Sequence, residues 1–330
     1  MAKLVGAISM SHAPGASGWP DTPPEDMKRR LAVLHDKIKA YLEDSKPDVI
    51  IAILDDHFEN QFRNLMPTFS IAIADKHSGP PEHMLKPLGY TETKIIPGAP
   101  DLATYLHKGL VGADFDVARM GEIEYGNNLM TPLWLIRPDA DIPVVPVFTN
   151  VFTPPLASLD RCYRFGEALR TFIDQYPGKE RVLILATGGL SHWPPFWSED
   201  SPEDDEFLQR MKRFQTEGKP VLADDPDIWE DLGKYELEMA AKNQFPLNSN
   251  HPLVNPEWDQ GIMDAFAQGD TQRIRSLSFD EIQENGGPGG HEVRTWAVVM
   301  GAMGGAPATS VGYEPVNEFI CGMGYLTYPV

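Results

Sequence analysis

Basic residues are scarce in this chain. Lys and Arg total 28 against 48 Asp and Glu, a formal net charge of −20. That balance excludes nucleic acid as a partner, because a phosphate backbone needs a basic face to neutralise it. It equally argues against an anionic membrane surface, but leaves room for a small anionic ligand, which needs only one or two local cations. Cysteine is nearly absent. Cys162 and Cys321 stand far apart and in no CxxC pattern, so neither a disulfide framework nor a zinc knuckle is expected. No stretch approaches the 18 or so apolar residues that a membrane span requires. The opening MAKLVGAISMSHAPG lacks a long apolar run after a basic segment, so no signal peptide is expected, and a reducing cytoplasm is the default setting. Internal repeats and low-complexity segments are also missing.

What is present is the composition of an ordinary globular protein, 42% hydrophobic and 23% charged over 330 residues. That length suits one large α/β domain with an insertion. Residues 3–9 read as a buried strand ending at Ser11-His12-Ala13-Pro14. Thr22-Pro23-Pro24-Glu25 opens a helix that runs to about Asp44, with Leu31, Leu34, Ile38 and Leu42 at helical spacing. Residues 48–54 (DVIIAIL) form a continuous apolar run, the mark of a central strand covered on both faces. Further strands are predicted near Thr68–Ala74, at 142–148 (IPVVPVF) and at 181–187 (RVLILAT). The two prolines of 142–148 argue against a fully paired central position.

Strands alternating with helices imply a layered α/β sandwich with a largely parallel sheet. Residues 196–256 break that rhythm: they are rich in acid, Pro, Trp and Asn, with helical stretches near 204–216 and 227–243. They read as an insertion over the site or at a subunit contact. Helices near 258–267 and 279–284 follow. A Gly-rich turn at 286–290 then leads into a helical segment His291–Met303, and the tail 306–330 reads as extended.

In such sheets ligands bind beyond the carboxyl ends of the strands. His12, His57 and His192 each fall just past a predicted end. A lone histidine there is more often a hydrogen-bonded loop residue than a ligand, and Asp56 beside His57 is as readily a turn residue as the partner that would orient the ring. Glu292, opening a helix, is explained as well by the helix dipole as by metal ligation, and spacing alone does not choose between it and its neighbour His291. His192, in Gly188-Gly189-Leu190-Ser191-His192-Trp193, is a candidate general base or a structural ring stacked on Trp193. GGLSHW lacks the GxSxG elbow, so a serine nucleophile is not signalled. His35 and His107 lie in helical patterns, and His77, His83 and His251 in loops.

Taken in order, these segments resemble the class III extradiol ring-cleavage dioxygenases, in particular the catalytic beta subunit of protocatechuate 4,5-dioxygenase and its gallate-cleaving relatives. The likeness runs through Ser11-His12-Ala13-Pro14, Asp56-His57 with Met66-Pro67-Thr68-Phe69, Gly188 to His192, Asn255-Pro256-Glu257-Trp258-Asp259, and Gly290-His291-Glu292 with Trp296. It implies His12, His57 and Glu292 as ligands of Fe(II), His192 as the acid/base histidine, and Glu292 rather than His291 as the carboxylate ligand. Three protein ligands leave positions for a bidentate diol and O2.

The chain departs from the pattern at Glu124-Tyr125-Gly126, where Tyr125 replaces a second active-site histidine. A phenol donates a hydrogen bond but is a poor base near neutral pH. The resemblance makes a carboxylated, lignin-derived catechol the favoured substrate, with Trp193, Phe196 and Trp197 as an aromatic rim and Arg294 as a candidate carboxylate partner. A homo-oligomer is expected. Two rival readings are a zinc hydrolase using the same three residues and a non-catalytic metal-binding protein on the same fold.

Overall fold

The computed structural model describes residues 1–247 and 252–329. His251 therefore lies outside the described residues. From the N-terminus the elements are β1 (Lys3–Met10), α1 (Gly15–Gly18), α2 (Glu25–Ser45), β2 (Val49–Leu54), β3 (Phe69–Ala72), β4 (Lys76–Gly79), β5 (Lys94–Pro97), α3 (Pro100–Gly112), β6 (Val117–Met120), α4 (Asn127–Ile136) and β7 (Val144–Thr149). They continue with α5 (Leu159–Gln175), β8 (Arg181–Thr187), α6 (Glu206–Glu217), α7 (Ile228–Lys242), α8 (Pro256–Gln268), α9 (Thr271–Ser276), α10 (Phe279–Gly290), α11 (Val293–Ala302), β9 (Thr309–Val316) and β10 (Cys321–Tyr328).

One eight-stranded sheet carries the fold, in the order β6-β3-β7-β2-β8-β1-β10-β9. Its centre, β7-β2-β8-β1, is parallel. At the margins β3 runs antiparallel to β7, and β10 antiparallel to β1 and β9. The expected largely parallel α/β sandwich is what forms. β2 shows why its sequence is apolar throughout. Val49, Ile51 and Ile53 enter the core with α3, α5 and α11, while Ile50, Ala52 and Leu54 face the core with α2 and α4. Side chains alternate across a strand, so burial on both faces removes any polar period. The stripe Leu31, Leu34, Ile38 and Leu42 of α2 is buried as its spacing requires.

The proline-bearing segment corrects one expectation. β7 is central and buried at every position. Its ladder with β3 covers only Val147 to Thr149, so Pro146 lies one position beyond the last rung on that side, where no N–H is called for. The expected Gly-rich turn at 286–290 takes the form of a kink: Gly287, at φ 73°, interrupts the helical backbone between the two parts of α10.

Candidate metal centre

Four buried side chains converge where the central strands end: His12 after β1, Asp55 and His57 after β2, and Glu292 at the start of α11. One ligand atom from each lies within 4.8 Å of all the others. His12 Nε2 is 3.3 Å from Glu292 Oε2 and 3.9 Å from Asp55 Oδ1. His57 Nε2 is 3.2 Å from Asp55 Oδ2 and 3.3 Å from Glu292 Oε1. The two imidazoles meet edge to face, with ring centroids 5.0 Å apart.

The surrounding hydrogen bonds fix what His12 can offer. The Thr187 hydroxyl donates its one proton to the Asn128 carbonyl at 2.6 Å. It must therefore accept at 3.1 Å from Nδ1–H of His12, which leaves the Nε2 lone pair aimed into the cluster. His12 Nε2 and both Asp55 oxygens are buried without a hydrogen-bond partner among the described residues. Buried polar groups are rarely left so, and two imidazole nitrogens with two carboxylates suit a first-row divalent ion. The donor set fits a metal.

Charge in the cluster is strongly coupled. Burial opposes protonation of His57, but Asp55 and Glu292 outweigh it and raise the ring to about 9. Burial also opposes the charged form of Glu292, yet His192 and His12 hold its carboxyl well below the usual range. Asp55 is raised by burial and by the repulsion of Glu292. A bound dication would replace protons as the balancing charge.

His192 stands beside this centre, with Nε2 3.4 Å from Glu292 Oε1. Its Nδ1 meets the Leu190 carbonyl at 3.0 Å, which keeps that proton on Nδ1 and leaves Nε2 free to accept one. The glycines of α10 make this position possible. Gly289 lies so close to the His192 ring that a Cβ there would come within 2.2 Å of Nε2, and Gly287, in the left-handed region, packs against the His192 carbonyl. The loop is braced from behind by Asp259, which accepts from Ser191 N at 2.7 Å, Ser191 Oγ at 2.8 Å and Tyr313 OH at 2.6 Å. That explains Asp259 within the quoted Asn255–Asp259 segment.

Other sequence candidates fall elsewhere. Glu292 rather than His291 faces the cluster: His291 meets Gln283 at 3.1 Å and Arg294 at 2.7 Å. Arg294 turns to the Ala157 carbonyl at 2.8 Å, away from any ligand. Asp56 does not orient His57; it accepts from the backbone N–H groups of Asn60 and Gln61. Tyr125 is the main correction. Its buried ring packs edge-on to His77, with centroids 5.6 Å apart, and it is not among the residues lining the cavity. Its position follows from Tyr125 N–H pairing with Ser78 O, which draws the segment toward β4. The following residues do the work at the site. Asn127 Nδ2 donates to His12 O at 3.3 Å, and Asn128 Nδ2 to Asp55 O at 2.6 Å, so the first turn of α4 braces both strand ends.

The cavity above the cluster is mostly apolar, walled by Trp19, Leu88, Phe196, Trp229, Leu232 and Phe319. Of the expected aromatic rim only Phe196 lines it. Trp197 lies instead under Arg63 and Lys212. Helix α7, inside the segment read as an insertion, contributes Trp229, Leu232, Gly233 and Glu236 to the wall. Two features had no clear sequence signal. Asp55 was visible only as a strand-end acid, and Glu236 as one acid among many on an acidic helix.

Known proteins match over nearly the whole chain. Residues 6–324 match the family described as the catalytic LigB subunit of aromatic ring-opening dioxygenase. Three relatives are named 2,3-dihydroxyphenylpropionate/2,3-dihydroxicinnamic acid 1,2-dioxygenase. The one from Xanthobacter autotrophicus is 31% identical over 327 residues, covering 96% of each chain. The one from Cupriavidus pinatubonensis is 29% identical, covering 95% of this chain and 94% of its own, and that of Rhodococcus globerulus is 27% identical over 97% and 96%. A solved structure of an uncharacterized Escherichia coli K12 protein aligns over 98% of the chain at 17% identity and TM-score 0.47. The chain thus belongs to the LigB family of extradiol ring-cleavage dioxygenases.

Proposed function

We propose that this chain opens a catecholic ring with O2 in an extradiol manner, with Fe(II) held by His12, His57 and Glu292 and His192 as acid and base. The observation that carries the reading is the convergence of two buried imidazoles and two buried carboxylates, with His12 Nε2 and both Asp55 oxygens left without a hydrogen-bond partner among the described residues. Two histidines and one carboxylate leave half a coordination sphere for a diol and O2. The bound ion would supply Lewis acidity to the diol and a path for electrons between ring and O2.

The protein's own groups do the rest. His192 Nε2, directed at the cluster, takes a phenolic proton as the diol binds and returns it when the oxygen–oxygen bond breaks. Glu292 balances the resulting imidazolium at 3.4 Å. Phe196 and Phe152, packed against the His57 ring, keep water from that side, while α7 covers the cavity. Asp55 stands against both histidines as a further ligand or as the group that orients His57. Within the segment read as an insertion, α7 serves as the cover of the site.

The same reading sets the enzyme in a reducing cytoplasm. Both cysteines are buried and unpaired, and among the described residues no helix is long and apolar enough to cross a membrane. It also includes a homo-oligomer, which light scattering of the purified protein tests.

An oxygen-electrode screen of the Fe(II)-loaded protein against catechol, protocatechuate, gallate and 2,3-dihydroxyphenylpropionate tests the function directly. Uptake of O2 with a yellow ring-opened product is the expected result. Bound iron without O2 uptake for any diol would overturn it and favour the hydrolase or the non-catalytic reading.

A further inference from the structure

We infer that Glu236 determines specificity in this cavity: it meets the substituent carried by the catechol ring and selects an uncharged, hydrogen-bond-donating group over a carboxylate. The inference rests on the ring-cleavage reading for the identity of the ring, and concerns the part of the substrate that iron does not hold.

Three observations carry it. First, Glu236 comes from α7 and lines the same cavity as His12, His57, His192 and Glu292, while itself only 7% exposed. No hydrogen bond or ion pair reaches its carboxyl among the described residues, although most acids of α6 and α7 are paired at the surface with Lys or Arg. A carboxyl that is buried, unpartnered and open to a ligand cavity is poised for a group the protein does not supply. Second, among the described residues no Lys or Arg lines the cavity. The two nearby candidates are committed elsewhere: Arg294 to Ala157 O and His291, and Arg63 to Phe152 O and Trp197 O. Third, the floor is already rich in acid. Asp55 and Glu292 alone would neutralise a divalent ion, before any charge of a bound diolate is counted.

A substrate carboxylate would therefore be desolvated among Trp229, Leu232 and Phe319 with no cation to pair it, a costly burial. Burial pushes the Glu236 carboxyl up to about 8 against the pull of His192 and His57. It can thus present a carbonyl oxygen to a hydroxyl or amide N–H on the substrate. This would set the chain apart from relatives named for carboxylated catechols.

The test uses an isosteric pair, 3-(2,3-dihydroxyphenyl)propionate and its primary amide, with the Fe(II)-loaded full chain. Binding is measured anaerobically by calorimetry and turnover by O2 uptake. The wild type is expected to bind the amide at least about tenfold more tightly than the acid. Glu236→Gln and Glu236→Leu, each checked for native circular dichroism and full iron content, are expected to bring the two affinities within about threefold. Equal or tighter binding of the acid by the wild type would overturn the proposal, as would an affinity ratio unchanged in both variants. Absence of O2 uptake with either compound strikes at the ring-cleavage reading instead, and the anaerobic ratio still decides the role of Glu236.

Discussion

The donors on the floor of the cavity sit within a few residues of a strand end or helix start, each tied to neighbouring backbone, whereas the cover rests on side-chain packing between two helices. His12 is fixed by Thr187 and Asn127, Asp55 by Asn128, and Glu292 by an unusually close hydrogen bond from the Gly189 N–H. The cover has a small apolar cluster that includes Trp193, Leu208, Met239 and Phe245. Met211, Phe214, Ile228, Trp229 and Leu232 join it to the larger core shared with α2 and α4, and partly exposed ion pairs such as Arg210 with Asp225 and Asp231 add little, as surface pairs do. The difference separates two tasks. Geometry that must hold a metal within tenths of an ångström is placed on the sheet. Recognition of variable substituents is given to an element that can be altered without disturbing the sheet.

That division can be broken by experiment. Glu292→Gln and Asp55→Asn remove charge from the floor. The first should abolish stoichiometric iron and with it all turnover, while the second should weaken iron affinity by about 10- to 100-fold. Metal analysis after dialysis reads both, and full iron occupancy in Glu292→Gln would show that the floor does not act through this carboxylate. His192→Phe should keep its iron and lose about 10²- to 10⁴-fold in kcat; retained turnover in an O2-uptake assay would remove the proton-transfer role. On the cover, Trp229→Ala should raise KM by roughly tenfold, the scale of a lost buried aromatic contact, with kcat and iron content held. A fall in iron content instead would show that floor and cover are not independent. The smallest effect belongs to Tyr125→Phe. Its hydroxyl has no partner among the described residues and lies outside the cavity wall, so steady-state kinetics should stay within about twofold of wild type. A larger change would restore Tyr125 to the mechanism.

The parts of the fold that were legible in sequence are those whose pattern has one physical cause. The run 48–54 is apolar because both its faces are covered, and the 3.6-residue spacing of Leu31 to Leu42 is the buried stripe of α2. Short marginal strands escaped, since β4, β5 and β6 have only four residues each, too few to show a period. Pro146 misled because a proline's cost depends on which neighbour its nitrogen faces, a matter of register. Glycines 286–290 signalled a turn, and Gly287 supplies it as a kink that lets the chain pack closely on His192. At the site, His12, His57 and His192 drew attention because each falls just past a strand end, whereas position alone left Glu292 level with His291 and only the family resemblance separated them. Asp56 was preferred to Asp55 as the partner of His57, since sequence does not tell which of two adjacent acids turns inward. Glu236 had nothing to distinguish it until the fold laid α7 over the cavity.

The pairing of β1 with β10 has a consequence for how the protein is made. Ser11, next to His12, donates to the Gly322 carbonyl from 311 positions away, and Gly324 N–H returns to the Ser11 hydroxyl. A ribosome exposes His12 roughly 300 residues ahead of the strand that steadies its neighbour Ser11. A nascent chain can gather His12 and His57 on a half-built sheet, but it cannot close the pocket wall at Phe319 to Cys321 until β10 has emerged. Closure of the site therefore waits for β10, and products truncated before that strand would lack the closed pocket.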